Sequence, residues 1–209
     1  SNTPALVAPF GGADPLLGTN PISIAIPAGK HPPLVLDIAT SIVAKGRIAL
    51  AMKEGTSIPE GWALDKNGAP TTDPAAANEG VLLPFGAHKG YAMELIGSLL
   101  SFALSGADMD TQIPRFFEQK EISTNFGYFM GCIDVSKFCS IDDFKARVDA
   151  MFDILKACRP AVGSKGVMIP GEIEYNMTAK AMEEGIDLSE ATLRDFREMA
   201  DTFGVKYTF

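Results

Sequence analysis

Apolar and polar positions follow two periods along the chain, and the change from one to the other marks its elements. From Pro21 to Pro27, PISIAIP sets Ile22, Ile24 and Ile26 against Ser23 and Ala25, the two-residue period of a strand packed on one face. Gly29 to Pro33 turns the chain, and His31 falls in that turn as a solvated loop residue. Leu34, Val35 and Leu36 form a wholly apolar run ending in Asp37, which predicts a buried strand. Thr40 or Ser41 is placed to cap a helix through about Glu54, with Ala44, Ile48 and Met52 as its buried stripe and Gly55 as its stop. Residues 58–80 are dense in Pro, Gly, Asp and Asn, which predicts an ordered loop or a tight hairpin around Asn67-Gly68, pinned to the core by Trp62.

The most strongly patterned stretch is Leu82 to Asp108, LLPFGAHKGYAMELIGSLLSFALSGAD. A Pro-Phe-Gly turn leads into a long helix on which Ala92, Leu95, Ile96, Leu99, Leu100 and Ala103 recur at the spacing of a buried face. His88 and Lys89 fall at or just before its N-terminus, where unpaired N–H groups and the helix dipole favour an anion. Taken alone, the pair fits a core helix with a basic first turn better than it fits an anion contact.

Beyond it, Pro114 to Thr124 reads as polar loop and Phe126 to Val135, FGYFMGCIDV, as a strand. Ser140 with Asp143 resembles a capping box ahead of a helix to about Cys158, with Phe144, Val148, Phe152 and Leu155 inward. Gly166 to Ile169 reads as a short strand, and Pro170-Gly171-Glu172 leads into a helix ending at Gly185. Ser189 caps a last helix whose Leu193, Phe196, Ala200 and Phe203 face inward. Strands and helices intermix without repeats, which predicts one α/β domain over residues 1–209.

Composition narrows the partners. A net charge of −8 argues against nucleic acid or an anionic membrane as a partner, so any bound anion needs a local site. No apolar segment reaches spanning length, and no signal-peptide pattern is expected from these residues. Cys132, Cys139 and Cys158 show no metal or disulfide spacing, and free thiols point to a cytoplasmic setting. Asp65 and Asn67 resemble the start of a calcium loop, but Ala69 and Ala76 stand where ligands belong.

The chemistry is limited by what is missing. No G-x-G-x-x-G follows a strand, no P-loop occurs, and no G-x-S-x-G presents a serine. Loops at strand ends remain: GTNP at 18–21, DIATS at 37–41, TTDP at 71–74, FGAHKG at 85–90 and PGE at 170–172. Asp37 in such a position either accepts hydrogen bonds from sugar hydroxyls or caps a helix.

These motifs, with VAPFGG and IPEGWALDKNGAPTTDP, in this order and spacing, resemble the malate/L-lactate dehydrogenase family that is distinct from the Rossmann-type enzymes. The resemblance covers essentially the whole chain. It implies a mixed-sheet, non-Rossmann NAD(P)-binding fold with flanking helices, NAD or NADP as cofactor, a small 2-hydroxy or 2-oxo carboxylate as substrate, and a homodimer. It further implies that Asp37, Ile38, Ala39, Thr40 and Ser41 bind the cofactor, with His88 and Lys89 as a second contact and Gly171 with Glu172 as a third. Thr19 and Asn20 would shape the wall near the nicotinamide, Ser1 and Asn2 would lie in a stretch that approaches the substrate, and Ser1 and Asn20 would be the substrate contacts. Ala87 departs from the family, where glycine is common. The acid and the carboxylate-binding cation of the family are a histidine and an arginine in an N-terminal portion upstream of Ser1, so no catalytic residue is assigned here. The chain then corresponds to roughly the C-terminal two-thirds of such an enzyme, the alternative being a truncated non-catalytic module for nucleotide binding or oligomerisation. Lys45 and Arg47 are candidates to read a 2′-phosphate.

Overall fold

The computed structural model describes residues 1–115 and 123–207. Most of the predicted polar loop at Pro114 to Thr124 therefore lies outside the described residues. Strands β1 (Ile22–Ile26) and β2 (Leu34–Ile38) pair antiparallel, with Ser23 opposite Asp37 and Ala25 opposite Val35. The turn between them is not free. Asp149 accepts from the backbone N–H groups of Gly29, Lys30 and His31, at 3.1, 2.8 and 3.3 Å. His31 Nε2 lies 2.9 Å from Asp153, and its ring tilts against Phe152. The solvated loop expected at His31 is instead docked on a helix, because two acids one turn apart on that helix meet the turn's unpaired donors.

β2 departs from the buried strand expected. Its ribbon has only one covered face, so Leu34, Leu36 and Ile38 are half-buried while Val35 and Asp37 face outward. Helix α1 (Lys45–Glu54) begins later than predicted, and its N-cap, Ala44, makes no side-chain hydrogen bond. Thr40 and Ser41 do other work: the Thr40 hydroxyl donates to the Asn20 carbonyl at 3.2 Å and Ser41 to that of Val43 at 2.9 Å. Ile48 is buried, but Ala44 and Met52 are not. Gly55 ends the helix in the left-handed region, as predicted.

A second sheet orders β4 (Pro70–Thr71), β3 (Ala63–Leu64) and β5 (Val81–Leu82), all antiparallel. The hairpin around Asn67-Gly68 is present, with Asp65 accepting from the N–H groups of Asn67 and Ala69. Val7 bridges Leu82 in parallel and Leu17 antiparallel, which makes the assembly mixed. Val7, Leu17, Val43, Ile48, Ile58, Ala63, Ala77 and Leu82 form the core, with Trp62 packed against it. Helix α2 (Pro74–Glu79) is capped by Asp73.

Helix α3 (His88–Phe102) reverses the predicted face. Its buried residues are Gly90, Glu94, Ser98 and Ser101, whereas Ala92, Ile96, Leu99, Leu100 and Ala103 are exposed, Leu95 alone of the apolar stripe reaching the core. A buried acceptor decides the matter: Asp110 holds Ser98 at 2.8 Å and turns the polar stripe inward. Phe126 to Val135 forms no strand, because Gly127 is taken by the Asn2 side chain instead of a ladder. Gly166 to Ile169 is likewise not a strand. Helices α4 (Ile141–Lys156), α5 (Glu172–Glu184) and α6 (Glu190–Phe203) match the pattern, with Ser140 and Ser189 capping α4 and α6. Phe152 is buried in α4, but Phe203 of α6 is exposed.

Candidate functional site

Sequence-distant loops converge along the stretch from Val35 to Ile42. At one end, the Val35 N–H donates to the Pro170 carbonyl at 3.0 Å. Gly171, at φ +90°, lies so close that an added Cβ would sit about 3.0 Å from both Cβ and the carbonyl oxygen of Val35. Only glycine suits that left-handed, close approach. At the other end, Phe85 N donates to Thr40 O at 2.9 Å and Ile42 N to Leu83 O at 2.8 Å, around a bridge of Ser41 with Pro84. Thr40 N also donates to Thr19 O at 2.9 Å. Thus Asp37–Ser41, Gly171–Glu172, the start of α3 and the Thr19–Asn20 turn share one frame.

Within that frame, α3 begins at His88, directly after Ala87, whose φ of +54° and ψ of −128° are unusual for a residue with a side chain. Gly90 fits the first turn tightly, since a Cβ there would overlap the Phe85 carbonyl. His88 and Lys89 are exposed on that first turn, and the His88 ring meets Phe10 edge-on at 5.8 Å. Asp37, Ala39 and Lys89 present polar and backbone groups outward, with Ile38 half-buried and Thr40 and Ser41 buried behind them.

Other assigned residues are more engaged. Glu172 accepts from Lys156 Nζ at 2.7 and 3.0 Å and from Ile169 N at 2.9 Å. The Lys156 ammonium, then that N–H group, hold its carboxyl below the usual range. A cavity of about 230 Å³ opens beside it, lined by His31, Pro33, Phe152, Pro170 and Tyr175 among others. Asn20 is buried, its amide donating to Asp110 at 2.7 Å and its oxygen accepting from Thr3 N at 2.9 Å. Ser1 lies beside it, with its nitrogen 3.4 Å from the Pro21 carbonyl. The TTDP loop is not brought in; it lines a separate surface hollow with Gly55 and Ser57. Lys45 is not free to read a phosphate on this frame, because its ammonium donates to the carbonyls of Ala77 and Asn78.

The sequence reading missed the polar cluster beneath the frame. Asp110, buried, accepts from Asn2 at 3.0 Å, Ser98 at 2.8 Å, Gly18 N at 2.8 Å and Asn20 at 2.7 Å. Glu94 is fully buried, and neither of its carboxyl oxygens has a hydrogen-bond partner. Burial first, and the Asp110 charge second, push its carboxyl up to about 8. One signal was legible: Glu94 and Ser98 are one turn apart in an otherwise apolar helix.

The residues fit an elongated anionic ligand such as a dinucleotide. Gly90 and Gly171 let the chain pack closely at the two ends of the frame, and a helix N-terminus with an exposed basic pair meets one of those ends. Among the described residues no group of three or more His, Cys, Asp or Glu side chains could hold a metal, and no helix is long and apolar enough to cross a membrane.

Residues 1–197 match the malate/L-lactate dehydrogenase family. The chain is 38% identical over 209 residues to malate/(S)-sulfolactate dehydrogenase of Methanothermus fervidus, covering all of this chain and 60% of that protein. It is 42% identical over 193 residues to L-sulfolactate dehydrogenase of Methanothermobacter thermautotrophicus, covering 92% of this chain and 54% of that protein. The solved sulfolactate dehydrogenase of Methanocaldococcus jannaschii superposes with a TM-score of 0.83 at 37% identity, over 98% of this chain and 58% of the other. The chain thus spans little more than half the length of these relatives, yet by the extent and identity of the match it belongs to the malate/L-lactate dehydrogenase family.

Proposed function

We propose that this chain, over residues 1–209, forms the cofactor-binding and C-terminal part of an NAD(P)-dependent oxidoreductase that interconverts small 2-hydroxy and 2-oxo carboxylates. The observation that carries this reading is the convergence of Asp37–Ser41, the start of α3 with His88–Lys89, and Gly171–Glu172 on one frame running from Val35 to Ile42. The relatives named malate and sulfolactate dehydrogenases support the substrate class.

Each residue then has a task. The N-terminus of α3 and the Lys89 ammonium hold the pyrophosphate. Asp37, exposed on β2, accepts from ribose hydroxyls, and its charge together with the engagement of Lys45 favours NAD over NADP. Gly171 keeps the α5 entry close to β2, and the cavity beside Glu172 offers ring-stacking walls in Phe152, Tyr175 and Pro33. Ser1 and Asn20 belong to the wall nearest the substrate, Asn20 by fixing Thr3 and Thr40 rather than by reaching outward. When bound, the nicotinamide supplies or accepts the hydride. No described side chain is assigned as the catalytic acid: His88 belongs to the nucleotide contact and His31 is paired with Asp153.

The reading extends to assembly. Met93, Ile96, Leu99, Leu100 and Leu104 leave an apolar face on and after α3, Ile96 at 59% and Leu104 at 69% exposure, which suits burial against a second copy in a homodimer. Three exposed free thiols suit a reducing, cytoplasmic setting. Titrating the folded chain with NADH and NADPH by fluorescence tests the central claim: NADH should bind, more tightly than NADPH. Absence of binding by either nucleotide would overturn it and leave an oligomerisation module.

A further inference from the structure

Phe10 carries an aromatic ring, 56% exposed, on the tip of a firmly mounted turn. The root of that turn is buried. Val7 and Ala8 are inaccessible to solvent, Val7 exchanges backbone hydrogen bonds with Leu17 at 2.8 and 3.1 Å, and Ala8 N donates to Leu82 O at 3.0 Å. The tip is closed by Gly12 N, which donates to Pro9 O at 2.8 Å, with Gly11 at φ +86° directly after Phe10. That is the closing bond and the handedness of a type II turn, with Phe10 at its first corner.

An exposed apolar ring is ordinary by itself, and the neighbour of this one is what gives it a place. That neighbour is His88, the first residue of α3, whose ring meets Phe10 edge-on with centroids 5.8 Å apart and planes at 64°. Phe85 N donates to Thr40 O at 2.9 Å, which fixes the approach to α3 at the Thr40 end of the frame. The cavity lined by Phe152, Pro170 and Tyr175 opens at the other end, where the Pro170 carbonyl accepts from Val35 N and Gly171 packs against Val35. Aromatic surface therefore stands at both ends of the frame. A nicotinamide dinucleotide carries a heterocycle at each end of a pyrophosphate, so it needs a wall for each ring as well as an anion contact. The hairpin that bears Phe10 also carries the Thr19–Asn20 turn, and Thr19 O accepts from Thr40 N at 2.9 Å. The Thr40 end is thus the end of the wall assigned nearest the substrate, where hydride transfer has to occur.

We propose that Phe10 is a specificity-determining residue of the cofactor site, its exposed face packing on the nicotinamide ring while its contact with His88 holds that side chain beside the α3 N-terminus. The adenine ring takes the cavity at the Val35 end. This rests on the nucleotide-binding reading above. The Phe10 ring covers one face of the nicotinamide against water and favours a flat heterocycle there, through ring-on-ring contact that an aliphatic side chain does not supply.

Calorimetric titration of the folded chain with NADH and with ADP-ribose, which lacks the nicotinamide ring, tests this in wild type, Phe10→Leu, Phe10→Tyr and Tyr175→Ala. Phe10→Leu should weaken NADH binding about tenfold and change ADP-ribose binding by less than about twofold. Phe10→Tyr, which keeps the ring, should bind NADH within about twofold of wild type. Tyr175→Ala should weaken both ligands alike, since both carry adenine. Equal weakening of NADH and ADP-ribose by Phe10→Leu, or no weakening of either, would overturn the role of Phe10 while nucleotide binding itself stands. Failure of wild type to bind either ligand would overturn the nucleotide reading and this proposal with it.

Discussion

Asn20 donates its side-chain amide to Asp110 at 2.7 Å, joining residues 90 positions apart in the chain. Because Asn20 also accepts from Thr3 and its carbonyl receives Thr40, this contact lets one buried carboxylate organise three loops at once.

Asp110→Ala should therefore be strongly destabilising. It leaves the donors of Asn2, Gly18, Asn20 and Ser98 unmatched in the interior, a loss of roughly 3–5 kcal/mol. Urea unfolding measures it, and a loss below about 1 kcal/mol would show the network to be dispensable.

The stability of the chain should also fall as pH rises. In the unfolded chain Glu94 titrates near 4.5, and in the folded chain at about 8. Between those values the folded state holds one more proton, so stability declines through this window and levels above it. Discounted for relaxation around the group, the decline attributable to Glu94 is on the order of 2 kcal/mol. Denaturation midpoints at pH 5 and pH 9 should lie closer together in Glu94→Gln than in wild type.

Ala87→Gly should stabilise the fold. Its φ of +54° with ψ of −128° is a conformation that a side chain resists, and relief of about 1 kcal/mol would raise Tm by roughly 2–4 °C for a chain of this size. An unchanged or lower Tm would show that the surrounding turn absorbs the strain.

Gly90→Ala should do the reverse. The added methyl would overlap the Phe85 carbonyl, a backbone atom that cannot step aside without shifting α3 or its entry turn. We expect a loss of at least about 2 kcal/mol and weakened NADH binding, seen by circular dichroism melts and fluorescence titration.

Lys89→Ala should weaken nucleotide binding, by about tenfold, whereas Lys30→Ala should leave it near wild type. Lys89 is exposed on the first turn of α3, while the Lys30 ammonium is paired with Asp153 at 2.6 Å on another part of the surface. Equal effects of the two substitutions would remove Lys89 from the site.

Elements with strong local signals were legible in the sequence. Ser140 and Ser189 cap helices, Gly55 and Gly185 end them, and Asn67-Gly68 turns a hairpin, because each depends on atoms within a few residues. The motif order likewise identified the family and named the segments that the structure brings together. Phe126 to Val135 misled because β propensity needs a ladder partner, and Asn2 occupies Gly127 instead.

The sequence by itself determined where α4 and α6 begin, where α1 and α5 end, and most of the segments of the frame, since capping, turn chemistry and motif spacing are local or directly written in residue order. Only the tertiary structure decided which face of α3 turns inward. Periodicity recorded an apolar stripe at Ile96, Leu99 and Leu100, but the packed side is Glu94, Ser98 and Ser101. The physical reason is that a buried carboxylate at Asp110, distant in sequence from Asn2 and Asn20, collects polar donors from several elements, and no local pattern announces such a meeting.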